Sequence, residues 1–562
     1  MTALGRRPAV ALGLVLALAP ALPSAVLAET GPRLTVDVRK DRHAISRDIY
    51  GVNFAAELGG ASTSRRLGIT VDRWGGNSTS RYDWTTGFHN TGADWYFENI
   101  PPESGKLPHL QHIDGDRSAS RRTVLTVPMI GWVPRTDSPD EHPFLCGFPT
   151  STFGDQQSTD AQWDPDCGNG RSPDGDELEP GSPTITSRAV DAGDVGDLVA
   201  DLVDRYGRAS AGGVRYIELD NEPALWGSTH RDVHPDPLTY DELIERTVAY
   251  ARAVKQADPS ALVVGPSDWG WCAYLYSPAD PGGCSIGDDR QAHDGTQFAA
   301  WYLAQLRSLR EGGKRLLDVF DEHYYPQAEG VSLSPAGSSA VQARRLRSTR
   351  SLWDPTYTDE SWISDMAQGG VAVRLIPRMR AWVDANFPGT KLGITEYNFG
   401  GLESLNGALA QADVLGILGR EDVTLATLWG AGSASQPWAY AFRMYRNYDG
   451  HGSAFGTTAV RARSFDPSRR SRPNGGQDEL AVYAAQRSNG TLTVMVINKT
   501  GTTLRSPLSL VGDAYRSAAQ VWRYSGSDLR HIVRKADATV RSGTLTLSYP
   551  ARSITLLVLR PR

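Results

Sequence analysis

The sequence predicts an α/β protein, a (β/α)8 TIM barrel with an additional all-β sandwich domain, on three observations. From Ile49 to Gly430, short apolar runs rich in β-branched residues alternate with helical stretches, the pattern of parallel strands joined by crossover helices. Eight such runs occur, the number that closes a barrel. After Trp438 the helical periodicity ends, and alternating runs stand between turn signals such as Ser488-Asn489-Gly490, which reads as an antiparallel sandwich.

Along the chain, Arg6 and Arg7 precede an apolar run from Ala9 to Leu22, and Val26-Leu27-Ala28 offers small residues for cleavage, so residues 1–28 read as an export leader. The run is broken by Pro20 and Pro23 and is shorter than the roughly 20 residues of a membrane span. The expectation is a secreted, extracellular protein with no membrane partner. Residues 29–48 hold Leu34 to Val38, a strand placed before the barrel and expected to join the β-domain. Residues 49–445 form the expected catalytic barrel, with strands at Ile49 to Phe54, Ile69 to Trp74, Val124 to Trp132, Tyr216 to Glu222, Leu262 to Trp269, Val319 to Tyr325, Leu392 to Asn398 and Leu425 to Trp429. Apolar residues three or four apart predict outer helices at Val195 to Tyr206, Tyr240 to Gln256 and Phe298 to Leu309. The polar stretch from Phe144 to Pro183 is far longer than an ordinary βα loop, which points to function or to a bracing metal. Residues 446–562 are the expected sandwich, with strands at Leu492 to Ile497, Val521 to Tyr524, Leu545 to Tyr549 and Ile554 to Leu559.

A formal net charge of −6 with 22% charged residues leaves no basic excess to hold phosphates, which argues against nucleic acid and anionic membranes as partners. A monomer is expected. The four cysteines fall into two local pairs, Cys146 with Cys167 and Cys272 with Cys284, which an exported chain would join as disulfides. No zinc-type spacing accompanies them.

In such a barrel the reactive groups close the C-terminal ends of strands. Glu222 closes the fourth run in Asp220-Asn221-Glu222-Pro223, and Glu396 closes the seventh in Thr395-Glu396-Tyr397-Asn398. Glycosidic cleavage needs an acid to protonate the leaving oxygen and a carboxylate to attack or to activate water. Strands on different sides of a barrel mouth can supply that pair. Trp74, Trp132, Trp226, Trp269 and Trp429 stand at or just past strand ends, where their faces offer platforms for sugar rings or, on the blander reading, fill the barrel. Arg73 beside Trp74 is placed either to fix the hydrogen bonds of the acidic pair or to make a structural salt bridge. His323 and Tyr325 share one face of the sixth strand by the period-two rule, and both are expected to meet the substrate.

Five motifs taken together, Tyr50-Gly51-Val52-Asn53-Phe54, Arg73-Trp74-Gly75-Gly76-Asn77-Ser78-Thr79-Ser80-Arg81-Tyr82-Asp83-Trp84, Asp220-Asn221-Glu222-Pro223-Ala224-Leu225-Trp226, Asp321-Glu322-His323-Tyr324-Tyr325-Pro326 and Ile394-Thr395-Glu396-Tyr397-Asn398, resemble the retaining clan A glycoside hydrolases and within them family 44. The resemblance extends over nearly all the mature chain. It implies Glu222 as acid/base, Glu396 as nucleophile, Asn221 as the partner of the substrate 2-hydroxyl, Tyr325 as the residue that orients the nucleophile and Trp429 as the platform under the cleaved sugar. It implies a secreted endo-β-1,4-glucanase acting on β-1,4-glucan such as xyloglucan, with no cofactor for catalysis. Other clan A activities, namely β-mannanase, xylanase and arabinofuranosidase, share this chemistry, and a catalytically silent carbohydrate-binding barrel is the reading from another class.

Asp164, Asp166, Asn169, Asp174 and Asp176 cluster oxygen ligands among glycines in the long loop, as calcium loops do, although the spacing departs from an EF-hand and a solvated acidic loop would read the same way. The family resemblance implies a structural calcium in this loop.

Overall fold

The computed structural model describes residues 28–562 apart from 104, 137–144, 311–313, 367–371, 467 and 469–473. The expected leader therefore lies outside the described residues except for Ala28, as does Phe144 at the start of the long loop. No helix among the described residues is long and apolar enough to cross a membrane.

Eight parallel strands close a barrel: β1 (Gly51–Asn53), β2 (Val71–Trp74), β3 (Arg122–Val127), β4 (Tyr216–Leu219), β5 (Leu262–Trp269), β6 (Val319–His323), β7 (Lys391–Tyr397) and β8 (Leu425–Leu428), with β8 pairing back onto β1. Each lies within or at the edge of an expected run. The third run is cut short because Pro128 follows Val127 and carries no N–H for the ladder. Trp132 then opens a separate strand, Trp132–Pro134, paired antiparallel with Ser187–Ala189. The three expected helices are found at Ala192–Tyr206, Tyr240–Ala257 and Phe298–Ser308.

Period-two alternation sorts the barrel interior into layers. Val71, Val124, Tyr216, Val264, Val319 and Leu425 form an apolar cluster at the base. Two residues further along five of those strands stand Arg73, Thr126, Glu218, Asp321 and Thr427, all buried. The interior thus changes from apolar to densely polar in one step toward the C-terminal mouth.

Eleven strands among the described residues form the second sheet system. Arg33–Asp37 joins it, antiparallel to Thr458–Phe465 and parallel to Leu504–Val511. The strand Thr458–Phe465 pairs through Thr458, Ala459 and Val460 with Leu480–Gln486 and through Arg461 to Phe465 with Arg33–Asp37, so it passes from one sheet to the other and makes the corner of a sandwich. Val36, Val460, Val482, Val494, Leu508 and Leu557 fill the space between the sheets. Leu480–Gln486 and Leu492–Asn498 are buried on both faces, because Tyr483, Met495 and Ile497 belong to the barrel's own core cluster. The helix Leu405–Arg420 meets this sheet and is buried on every side from Asn406 to Gly419, as its apolar composition all round requires.

Candidate active site

The turn after β4 carries the first acid. Asp220 and Glu222 both adopt left-handed φ, at 65° and 47°, conformations that persist only where the surroundings hold them. Asp220 provides that hold. Its wholly buried carboxylate accepts from Ser80 Oγ at 2.5 Å, the Asn221 N–H at 2.8 Å, Trp226 Nε1 at 3.2 Å and the Met129 N–H at 2.5 Å. From β5 the Ser267 carbonyl accepts the Glu222 N–H at 3.1 Å, and Asp268 Oδ1 accepts the Ala224 N–H at 2.8 Å. The acid-bearing turn is clamped from both sides.

Glu396, at the end of β7, receives Arg73 Nη1 at 2.5 Å on one oxygen and the Tyr325 hydroxyl at 2.6 Å on the other. The Arg73 guanidinium, with no exposed surface, also donates to Glu218 at 2.5 Å, Asn53 Oδ1 at 3.2 Å and Asn221 Oδ1 at 2.8 Å. Glu218 gives the buried guanidinium a second carboxylate, so its charge keeps a partner if one is lost. Its other oxygen contacts Thr395 Oγ1 at 2.7 Å and Ser267 Oγ at 3.1 Å.

The two glutamates meet at His323. Its Nδ1 lies 2.8 Å from Glu222 Oε1 and 3.7 Å from Glu396 Oε2. One carboxylate oxygen of each glutamate and a nitrogen of this ring all lie within 4.8 Å of one another. The side chains keep 12% and 6% of their surface exposed, enough to be reached from the mouth.

Burial and the neighbouring charge of Glu396 push the Glu222 carboxyl well above the ordinary range. Burial also raises Glu396, but Arg73 and the Tyr325 hydroxyl oppose it by stabilising the ionised form. Burial and Arg73 hold His323 far below its usual value, so the ring beside Glu222 is neutral. These directions favour the proton on Glu222 and the charge on Glu396.

Both acids open into a cleft of about 620 Å3 lined also by Phe54, Gly76, Asn77, Asp94, Asn221, Leu225, Trp269, Tyr325, Gln327, Leu333 and Trp429. Gly76 has φ +90°, and a Cβ there would stand 2.8 Å from the Trp429 ring; its N–H donates to Asn221 Oδ1 at 3.1 Å. Only glycine lets the backbone serve both neighbours.

These contacts determine how the anticipated site residues are used. Asn221, Tyr325 and Trp429 line the cleft with the two acids. Arg73 faces Glu396 and Asn221 rather than open space. His323, expected at the substrate, has no exposed surface and spends its ring on Glu222 and Thr395. Trp226 is likewise wholly buried, its indole N–H held by Asp220, and is a prop of the acid turn rather than a sugar platform. Trp74 lies against Tyr82, ring centroids 4.6 Å apart, outside the cleft lining. The residues that sequence reasoning passed over are Asp220, Glu218, Asp268 and the cleft-lining Gln327, whose Oε1 accepts from the exposed Trp362 at 3.2 Å.

A match to the glycoside hydrolase family 44 model covers residues 88–328. Endoglucanase A of Paenibacillus lautus is 30% identical over 98% of this chain and 76% of its own length. The chain belongs to glycoside hydrolase family 44. Among solved structures, CelM2, described as a bifunctional glucanase-xylanase protein from a metagenome library, is 39% identical with a TM-score of 0.87, over 95% of this chain and all of that one. A Paenibacillus polymyxa xyloglucanase of family 44 solved with xyloglucan is 29% identical with a TM-score of 0.75, again over 95% of this chain and all of its own. This family 44 chain is thus a glycoside hydrolase with the family's TIM barrel and β-sandwich, and both expected disulfides are present, Cys146–Cys167 and Cys272–Cys284.

The expected calcium ligands of the family 44 chain do not converge as a set. No three Asp, Glu, His or Cys ligand atoms from that segment lie within 4.8 Å of one another among the described residues. Asp166 is occupied by Thr150 and Ser151, Asn169 bonds Gln157 and the Arg171 N–H, and Asp174 and Asp176 are not buried. Only Asp164 takes part in a buried acidic group. Glu98 is fully buried with both oxygens lacking a donor, and burial together with Asp160 and Asp164 pushes its carboxyl up to about 8. The orphaned, fully buried Glu98 carboxylate beside Asp160 and Asp164 is where a loop calcium would find a ligand, although these three do not bring their oxygens within 4.8 Å of one another, and the Cys146–Cys167 bridge pins the same loop.

Proposed function

We propose that this enzyme is a secreted, retaining endo-β-1,4-glucanase that cleaves internal bonds of xyloglucan and related soluble glucans by double displacement, with Glu396 as nucleophile and Glu222 as acid/base. The observation that carries the reading is the approach of one oxygen of each carboxylate to within 4.8 Å of the other. Retaining pairs stand about 5–5.5 Å apart, whereas inversion needs about 6.5–9.5 Å to admit a water between acid and base. In the first step the ionised Glu396, held by Arg73 and Tyr325, attacks the anomeric carbon as Glu222 gives its proton to the leaving oxygen. In the second step Glu222, now ionised beside neutral His323, takes a proton from the water that releases the sugar. Asn221, fixed through Arg73 and the Gly76 N–H, presents its Nδ2 side toward Asn77 and the cleft, where a substrate 2-hydroxyl would lie. Trp429 and Trp269 are the platforms.

The likeness to a xyloglucanase supports the polymer, and the likeness to a glucanase-xylanase favours xylan as a second substrate. Export is supported by the disulfides and the leader-like N-terminus. A domain division into a barrel, 49–445, and a sandwich built from 29–48 and 446–562 belongs to the same reading, supported by the pairing of Arg33–Asp37 with Thr458–Phe465. Measuring reducing ends and chain length together on xyloglucan, mixed-linkage glucan, xylan and mannan tests it. A rapid loss of viscosity on xyloglucan ahead of sugar release is expected, and release of monosaccharide without shortening of the polymer would refute an endo mode.

Tyr325→Phe should lower kcat/KM roughly 10- to 100-fold, because a hydrogen bond to a charged group contributes about 1.5–3 kcal/mol. The sign of the pH effect follows from the same bond: it favours ionised Glu396, so its loss raises that carboxyl and moves the acidic limb of the kcat/KM profile to higher pH. A profile that only scales down would place the hydroxyl's role elsewhere.

Glu98 would give its free carboxylate to a calcium that braces the loop without touching the reaction. Saturating Ca2+ should raise the melting temperature by several degrees over the EGTA-treated protein, since a ligand at about 100 times its Kd adds about 2.7 kcal/mol. Glu98→Gln should abolish the difference; persistence of the full shift in that variant would move the ion elsewhere.

A further inference from the structure

Sharing no lining residue with the cleft, the seam between the barrel's last helix and the sandwich holds a second cavity of about 650 Å3, well inside the range of about 300–1,000 Å3 of small-ligand sites. Its walls come from the segment after the helix Pro437–Arg446, the turn around Asn489, and the strands Tyr515–Ser525 and Ser553–Pro561. Three arginines, Arg487, Arg516 and Arg560, line it against one carboxylate, Asp449. This runs against the sign of a chain whose net charge is −6.

The arginines are placed by the fold in two ways. Tyr515 pairs with Pro561 and Ala519 with Leu559, so four steps on one strand oppose two on its neighbour. That irregularity carries Arg516 to the rim, as bulges at sheet edges re-aim side chains. Arg487 is fixed deeper, donating to the Tyr448 hydroxyl at 2.8 Å and to the Ala454 carbonyl. Arg560 is exposed. Aromatic surface completes the lining: Trp522 and Tyr448 lie with ring centroids 5.3 Å apart, and Trp522 is also covered by Arg534 at 5.7 Å.

We propose that this cavity is a second, non-catalytic saccharide site that takes an acidic oligosaccharide, one bearing a uronate group. Guanidinium groups match a carboxylate bidentately, aromatic rings accept the apolar face of a pyranose, and Gln520 and Asn489 stand in the same wall to meet hydroxyls. Such a site would hold the enzyme to a uronate-decorated polymer while the cleft works on neutral backbone. It stands apart from the catalytic reading and would survive that reading's failure.

Isothermal titration on the full chain carrying Glu396→Gln, which removes turnover, compares a glucuronate-decorated xylo-oligosaccharide with its undecorated counterpart, with free glucuronate and with inorganic sulfate. Tighter binding of the decorated sugar is expected, weakening as salt rises. In the same background the double variant Arg516→Gln, Arg560→Gln should reduce that affinity about tenfold or more at an unchanged melting temperature. With Glu396 restored, it should leave kcat and KM on neutral xyloglucan unchanged. Arg560→Gln alone, at an exposed position, gives a milder loss and guards against misfolding. Equal affinity for decorated and undecorated sugars, binding of sulfate as tight as the uronate sugar, or affinity untouched by the arginine substitutions would overturn the proposal.

Discussion

Glu396→Ala is expected to lower turnover of xyloglucan by a factor on the order of 10^5 or more, the scale seen when an enzyme loses its covalent nucleophile. The chemical reason is local. The carboxylate is held by Arg73 at 2.5 Å and Tyr325 at 2.6 Å, and no other carboxylate in the cleft has both donors. Truncation leaves Arg73 paired with Glu218, so the charge keeps a partner and the fold should survive with modest loss of stability. Azide added to this variant with an activated aryl glycoside should enter the vacated space and yield the α-azide, since it attacks the face the carboxylate had occupied. The rate and product configuration are read by chromatography and NMR. Wild-type turnover in the variant, or rescue giving the β-azide, would remove Glu396 from its assigned role.

Glu222→Ala is expected to act selectively. A positioned general acid contributes about 10^2- to 10^4-fold, and that loss falls on substrates whose leaving group needs a proton. Polymer cleavage should drop by that factor. The first step on an activated aryl glycoside should stay near the wild-type rate, with the glycosyl-enzyme accumulating because the second step also needs Glu222 as base. The basic limb of the pH profile should vanish in the same variant, because the buried carboxyl raised by its surroundings and by Glu396 is the group whose deprotonation ends activity at high pH. Equal slowing of good and poor leaving groups would argue that Glu222 has a structural role only.

Much of this site was legible before any coordinates. Glu222 and Glu396 end apolar runs, and strand ends at a barrel mouth are where acids become accessible; the structure puts both in one cleft. What the sequence does not reveal is where a side chain beyond a strand end turns. Trp226 follows the αL turn of Glu222 and a short helical turn, which carry its indole back under Asp220 and out of the cleft. His323 and Tyr325 do share a face, but the difference in depth puts one ring on Glu222 and lets the other reach open space. Glu218 is inward-facing by the same period that fixes Tyr216 and could have been placed from it; its partner Arg73 lies 145 residues away, a distance no local pattern spans. The calcium ligands expected along the loop turn to different partners, which acid density along the chain does not report. Glu98, whose buried oxygens lack a donor, comes from outside the loop and is marked by burial alone.

The measurement that bears most directly on the pairing of Glu222 with Glu396 is the anomeric configuration of the first product, followed by proton NMR during hydrolysis of a xyloglucan oligosaccharide before mutarotation. One oxygen of each carboxylate lies within 4.8 Å of the other, nearer the spacing of retaining pairs than the about 6.5–9.5 Å of inverting ones, so the β-anomer should form first and the α-anomer appear only by later equilibration. Initial appearance of the α-anomer would mean a single displacement by water, and the geometry assigned to these two acids would be wrong.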